Sequence, residues 1–515
     1  MRRSARLCLC ILMAVAGLVG LLSQMAAASG TSGRTPSAAA VTQNFPSADS
    51  SDPSIDVWYT LEQRFGHIGN PQRWVNILGN ASDPQGISSL TYSLNGESPL
   101  DLTVGPDGWR LAEEGDFNIE LDYSDLLSGP NEVVIVATDN LTNTTTVTVA
   151  VEYENGNVWP RPYAIDWSSV EDIQDVAQVV DGLWEVEGGY IHPVGASSES
   201  YDRLVAVGDM SWLDYEVTVR VVIHEFFWGA PGVGILVRWN GHGDDANQPH
   251  YAHPFGALGW YRVLDDTPRL RILGNDGYDI ATDYSGRRLH FDVPYMFKMR
   301  AATEPGDRSY YRFKVWEVGE PEPSAWDLSG YGNDIDEDEL HGSMVLVAHR
   351  TDASFGDVTI TPPLTLDVSG GGTITADPPQ ESHHYGDVVT LTAVPDVDWC
   401  FSGWDGDLTG SDNPDVVTLE DSKFVSAEFT QGGYTLSVEV AGAGTVTVEP
   451  DKAQYDCGDV VTLTAIPYAG WGFLGWEGDL VTTDNPAILT MNRDKTVICT
   501  FYTHESFLPL AAREH

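Results

Sequence analysis

The chain has 515 residues, too many for one hydrophobic core, so roughly three to five modules are expected. Its 76 acidic residues against 27 Lys+Arg give a formal charge of -49, which repels a phosphate backbone and excludes nucleic-acid binding. With 42% hydrophobic residues and only 5 cysteines, the fold must rest on apolar cores and not on a disulfide framework.

Residues 1–28 read as a secretory signal peptide. Arg2, Arg3 and Arg6 precede the apolar run Leu7 to Leu22, and Ala26-Ala27-Ala28 is a small-residue cleavage site. The apolar run is too short for an anchor and ends in Ser23-Gln24. No later stretch is apolar enough to span a bilayer, so the expected location is extracellular or on the cell surface, with no integral membrane segment in the mature form. Residues 29–52 are rich in Ser, Ala, Pro and Gly without an apolar period, which predicts a flexible linker.

Residues 53–154 alternate short strands and turns. Trp74 to Leu78, Leu90 to Leu94, Asn131 to Asp139 and Thr144 to Glu152 are strands, and Asn95-Gly96 is a hairpin signal. About seven strands in about 100 residues predict a Greek-key sandwich. The runs SDPQGISSLTYSLNG and LLSGPNEVVIVATDN resemble bacterial immunoglobulin-like modules.

Residues 163–361 form the largest module. Tyr215, Val217, Val219, Val221 and Ile223 alternate with polar neighbours, the period of a strand with one buried face. A Gly/Pro turn from Gly229 to Gly232 leads into a second strand, Gly234 to Trp239. Further strands are read at Gly256 to Leu264, Arg269 to Leu273, Pro294 to Arg300, Tyr310 to Val318, Ser343 to Ala348 and Ser354 to Thr361. An all-strand unit of this length predicts a two-sheet jelly roll. The order WEVEGG, DYEVTVRVVI, GILVRW, KVW and ASFGDVTIT resembles the concanavalin A-like lectin/glucanase superfamily, with its laminin-G-like sandwiches.

A repeat follows. Gly386 to Ala393 (GDVVTLTA) recurs at Gly458 to Ala465, a spacing of 72 residues, and GWDGDL at Gly403 recurs as GWEGDL at Gly475. Asp412-Asn413-Pro414 recurs at Asp484-Asn485-Pro486, Lys423 at Lys495 and Phe429 at Phe501. Two copies of one small unit are implied, 364–430 and 433–503, before a C-terminal tail, 504–515. The motif set resembles the divergent InlB B-repeat family, which implies β-rich stalk or interaction modules on secreted proteins. Cys457 and Cys499 replace Tyr385 and Ala427 of the first copy. A change at both positions in one copy points to a Cys457–Cys499 bridge with Cys400 unpaired, provided the Cα atoms lie about 5.5 Å apart. The expected fold class is therefore all-β and multidomain: an immunoglobulin-like sandwich, a larger jelly-roll sandwich and two small β-rich repeats.

Chemistry is less legible than architecture. Retaining glycosidases need two carboxylates about 5 Å apart, and the glucanase resemblance implies an E-x-D-x-x-E run on one strand face. No such run occurs in residues 163–361. Glu114-x-Asp116 and Glu120-x-Asp122 read as ordinary turn and strand acids, and His290, His341 and His349 stand alone and carry no reading.

Aromatic faces stack on sugar rings while polar neighbours fix hydroxyls. Trp228, Trp239, Trp260, Tyr261 and Trp316 are candidates for such a face, with Arg238 and Arg262 for hydroxyl or carboxylate contacts. The competing reading is that most of these rings are core and only one or two face solvent. The loop Asn240 to His253 concentrates His242, Asp244, Asp245, His250 and His253; His250-x-x-His253 has a metal-ligand spacing but no helix to align the rings. Asp334, Asp336 and Asp338 alternate as carboxylates do in a calcium loop, without its central glycine. A lectin-type calcium site and an acidic solvated loop both fit.

The expected function is non-catalytic binding of a polysaccharide, or of a cell-surface glycan or protein, or adhesion. The alternatives are a glycoside hydrolase of the lectin/glucanase superfamily and a structural surface or matrix protein without a small ligand.

Overall fold

The computed structural model describes residues 52–198, 201–243, 248–250, 256–265, 267–332, 340–379, 383–397 and 399–503. The chain is all-β and built of several sheets, as the strand periods predict. No helix among the described residues is long and apolar enough to cross a membrane.

The first module packs two sheets around one core. Ser54–Val57, Trp74–Ser82 and Asp116–Asp122 form the smaller sheet. Glu62–Phe65, Thr144–Tyr153, Gly129–Asp139, Ile87–Leu94 and Leu100–Leu102 form the larger, in that order. Val75, Ile77, Leu90, Tyr92, Ile119, Val133 and Val149 meet between them. At the predicted hairpin Asn95 and Gly96 both take positive φ, 50° and 79°, the conformation for which Asn-Gly is favoured.

The central module is a sandwich of two larger sheets. One has seven strands in the order Gln178–Asp181, Arg203–Val207, Ser343–His349, Gly232–Trp239, Ala257–Leu264, Thr267–Leu273 and Asp279–Thr282. The other runs Trp184–Glu187, Tyr190–Pro193, Thr351–Thr361, Tyr215–Phe226, Pro294–Glu304, Arg308–Glu317 and Leu328–Tyr331, with Tyr163–Ile165 also paired to Thr351–Thr361. Val217, Val219 and Val221 of Tyr215–Phe226 face Val233, Ile235 and Val237 of Gly232–Trp239 across the core. The alternation read in Tyr215–Phe226 exists because its other face is less buried, through Thr218, Arg220, Val222 and His224.

The seven-stranded sheet behaves differently, since both of its faces are apolar. Leu204, Leu236, Leu258, Trp260, Val345 and Val347 form a second buried cluster on the side away from the sandwich core. Strands buried on both faces lose their alternation, and Gly232–Trp239 and Ser343–His349 are buried at every position.

Each C-terminal repeat is a pair of three-stranded sheets. In the first, Leu364–Ser369, Lys423–Gln431 and Trp399–Gly406 pack against Gly372–Asp377, Val388–Pro395 and Asp415–Thr418. The second copies this with Leu436–Ala441, Lys495–Thr503 and Trp471–Gly478, and with Gly444–Glu449, Val460–Pro467 and Ala487–Thr490. The repeated motifs hold the copies shut. Trp404 and Trp476 donate Nε1–H to the carbonyls of Asp412 and Asp484, at 2.8 and 2.9 Å. Asn413 and Asn485 bond both backbone groups of Ala393 and Ala465.

The Cys457–Cys499 bridge is not formed. The disulfide joins Cys400 to Cys457, with Cα atoms 5.5 Å apart, and Cys499 is a buried free thiol. Cys499 points into the core of the second repeat, where the first copy has the equally buried Ala427. Cys457 sits in the turn before Gly458, outside that core, and its partner comes from the neighbouring repeat.

Candidate functional site

The outer apolar face of the seven-stranded sheet floors a cavity of about 150 Å³. Leu204, Leu236, Leu258, Val345 and Val347 form the floor, Trp239, Trp260 and Tyr201 the walls, and His242, His349, Asp202 and Arg262 supply the polar groups. A mostly apolar concavity with a few convergent polar groups is the usual form of a small-ligand site.

Local sequence explains how Trp260 is placed. A Cβ on Gly232 would come 2.8 Å from the Trp260 ring, and one on Gly234 would come 2.4 Å from Trp260 Cβ. The two glycines therefore clear a lane on the strand surface in which the indole lies. Its Nε1–H is buried and has no acceptor among the described residues. The Arg262 guanidinium stacks 4.2 Å from the Trp260 ring centroid, and its Nε donates to the Ala230 carbonyl at 3.3 Å.

His349 ends the Ser343–His349 strand and bonds Asp202 through Nδ1 at 2.8 Å. Its Nε2 is buried without a partner among the described residues. Buried polar atoms without partners cost about 1–3 kcal/mol each and are uncommon in native proteins. Trp260 and His349 both line the cavity, and each keeps one such atom shielded from solvent. Tyr201 packs edge-on against His349 at 4.6 Å, and Arg350 lies over the Tyr201 ring at 4.8 Å. Burial raises the Tyr201 pKa, so the phenol stays protonated as a donor.

The remaining predicted residues divide sharply. Trp239 joins Trp260 in the cavity because a bulge between Val237 and Trp239 breaks the strand's alternation. Arg238 takes the positive φ, 57°, and is fully buried. It bonds Asp214 at 3.2 Å, Thr303 at 2.8 Å and Ser309 at 2.5 Å, so it is a packing residue and not a ligand contact. Tyr261 faces the sandwich core and accepts from the Leu289 amide. Trp316 lies on the Arg308–Glu317 strand of the opposite sheet, away from the cavity, and is almost buried. Trp228 is 88% exposed on the turn whose Gly229 and Ala230 carbonyls accept from Arg350 and Arg262, and it does not line the cavity. Asp244, Asp245, His253, Asp334, Asp336 and Asp338 lie outside the described residues.

His250 is engaged elsewhere. It stacks on Trp74 at 4.2 Å, and Glu120 accepts from its backbone amide at 2.7 Å and contacts its Nδ1 at 2.6 Å. Glu120 is therefore no ordinary strand acid, but part of a buried polar junction between the first module and the sandwich. Arg110 reaches Glu120 and Asp181, each at 2.8 Å. Burial opposes the charge on Glu120, but Arg110 and the neighbouring histidines outweigh it and leave its pKa at about 2. For Asp181 burial dominates, with repulsion from Glu120 added to it, and its pKa rises to about 7. His242 approaches both carboxylates, 3.9 Å from Glu120 and 4.0 Å from Asp181, and also lines the cavity.

Sequence reasoning missed Tyr201, Asp202 and His349, which lie 147 residues apart at the Asp202–His349 pair and carry no local motif. It also missed Trp109, a half-exposed ring of the first module that packs 5.2 Å from Tyr201.

Residues 363–433 and 434–505 match the family model of the divergent InlB B-repeat domain, which bears out the resemblance for both C-terminal copies. No curated protein matches the chain. Among solved structures, the metal-free carbohydrate recognition domain of Emp46p is similar over 39% of this chain and 97% of its own, at 10% identity and TM-score 0.30. The GH43 protein BlXynB from Bacillus licheniformis, as a mutant, is similar over 56% of this chain and 63% of its own, at 11% identity and TM-score 0.27. The CBM2 module of the evolved Dit of Lactobacillus casei BL23 phage J-1 overlaps 38% of this chain and 93% of its own, at 9% identity and TM-score 0.27. Overlaps this weak leave function to the geometry.

Proposed function

We propose that this is a secreted or surface-displayed protein that binds a polysaccharide or cell-surface glycan without cleaving it. The central module, read as a concanavalin A-like sandwich over 163–361, takes the ligand in the cavity on its seven-stranded sheet. The signal peptide at 1–28, the linker at 29–52 and the immunoglobulin-like module at 53–154 deliver and present that site, and the two repeats act as a stalk. The supporting observation is a cavity in which the Trp260 and Trp239 walls meet the polar side chains of His242, His349, Asp202 and Arg262. That combination suits a sugar, which offers an apolar ring face and hydroxyls together. Among the described residues Asp202 is the one carboxylate lining the cavity, and its bond to His349 supports binding over hydrolysis.

The test is a glycan array followed by polysaccharide pull-down with the full chain. Trp260→Ala is expected to lower affinity at least tenfold, while Trp316→Ala, on the opposite sheet, leaves it unchanged. Absence of binding to every glycan by folded protein refutes the reading in favour of a structural role. Release of reducing sugar refutes the non-catalytic part.

A further inference from the structure

We infer that the ligand of this face is an acidic glycan, a polysaccharide whose sugars carry carboxylates, and that Arg262 and Arg269 select it. The inference rests on the proposal that the cavity takes a glycan.

The observation is a pair of like charges placed where sheets avoid them. Arg262 on Ala257–Leu264 is the direct cross-strand partner of Arg269 on Thr267–Leu273. The strand parity that buries Tyr261, Leu270 and Ile272 in the sandwich core turns both arginines to the cavity face. Directly opposed like charges destabilise a strand pair. Such a pair is ordinarily relieved by carboxylates, and this chain has 76 acidic residues against 27 basic ones. Yet among the described residues neither Arg262 nor Arg269 has a carboxylate partner, whereas Arg271 beside them is clamped on Asp279. Arg262 spends its Nε on a carbonyl and its ring-facing surface on Trp260, and Arg269 lies 4.9 Å over the exposed ring of Tyr284.

This leaves the Nη edge of Arg262 without a protein acceptor among the described residues, beside the cavity that Trp260 walls. A guanidinium edge presents two parallel N–H groups, which match the two oxygens of a carboxylate. The burial of Arg262 and its repulsion by Arg271 lower its pKa, against the opposing pull of Tyr201, Asp202 and Asp279, none of which bonds it. Elsewhere the chain repels anions, so an anionic polymer that binds must do so at a site and not by general ion exchange.

The experiment is isothermal titration of the full chain with oligogalacturonate, with the same oligomer fully methyl-esterified, and with neutral xylo- and gluco-oligosaccharides. The expected result is at least tenfold tighter binding of the free acid than of its ester, abolished in Arg262→Gln/Arg269→Gln with unchanged circular dichroism. Trp260→Ala weakens acid and ester alike. Equal affinity for acid and ester, or a preference for neutral oligomers, overturns the acidic-sugar assignment and leaves glycan binding standing. Failure of every oligomer and polymer, on folded protein, brings down the glycan reading itself.

Discussion

Serine at both Cys400 and Cys457 opens the covalent link between the two repeats. The bridge spans a sequence separation of 57 residues. Closing a loop of that length removes roughly 14 cal/mol/K from the unfolded ensemble, about 4 kcal/mol at 25 °C. Cys457 stands outside the core of its repeat, whereas Cys400 is buried, so serine there adds the cost of an enclosed hydroxyl. The C400S/C457S double variant is therefore expected to destabilise the repeats by about 4 kcal/mol or somewhat more and to leave the sandwich transition in place. Differential scanning calorimetry under oxidising conditions reads this as separate transitions, since a chain of several modules is not two-state. Non-reducing peptide mapping should recover a Cys400–Cys457 linked peptide. Cys499, its thiol pushed up to about 11 by burial, should resist alkylation until the chain unfolds. A Cys457–Cys499 peptide, or repeats that melt identically in variant and parent, would refute this reasoning.

Removing one cation from the junction between the first module and the sandwich should be costly. Arg110→Met takes away the guanidinium that bonds both buried carboxylates and leaves them to His242 and His250, and denaturant titration is expected to show a loss of about 3–5 kcal/mol. The same junction sets a pH dependence. Because the folded state raises Asp181 from 3.8 to about 7, its contribution favours folding at low pH and is lost as pH climbs through that window. Glu120, lowered from 4.5 to about 2, works in the opposite sense, its contribution being lost as pH falls between those values. Asp181→Asn should thus flatten the decline between pH 4 and pH 7 in melts across pH; an unchanged profile refutes the assignment. Gly234→Ala puts a methyl 2.3 Å from the Gly259 carbonyl oxygen and 2.4 Å from Trp260 Cβ, and is expected to cost about 1–3 kcal/mol and to alter Trp260 fluorescence.

What the sequence shows and hides follows from what each face of a strand meets. Tyr215–Phe226 was legible because one face packs in the core and the other is less buried. Gly232–Trp239 was legible as a strand, but its apolar run gives no parity, and the bulge at Arg238 reverses which of Arg238 and Trp239 reaches the cavity. Hence a tryptophan and an arginine adjacent in sequence have opposite fates. The repeats were legible because Trp404, Asn413 and their second-copy equivalents bond within a single unit. The disulfide was not, because it depends on how one repeat docks against the next. Glu120 read as an ordinary strand acid and His250 as a candidate loop ligand for a similar reason, since the partners that bury them lie in another module.

The cavity occurs where these effects coincide. A sheet with one apolar face needs one cover, but the seven-stranded sheet has two apolar faces and the sandwich core covers only the inner one. The first module covers one end of the outer face through Trp74, Arg110 and Asn118, with Asn118 donating to the Val180 carbonyl at 2.8 Å and the Trp74 carbonyl accepting from Gln178 at 2.7 Å. The remainder of that face is the cavity floor. His242 touches both regions: its backbone carbonyl accepts from Trp74 of the first module, while its ring stands edge-on to Trp239. Trp109 extends the first module's reach to Tyr201 on the cavity wall. The first module thus braces two residues of the site's wall, Tyr201 and His242, and is not a detached spacer, so the smallest piece of this chain expected to bind as the whole does includes both modules.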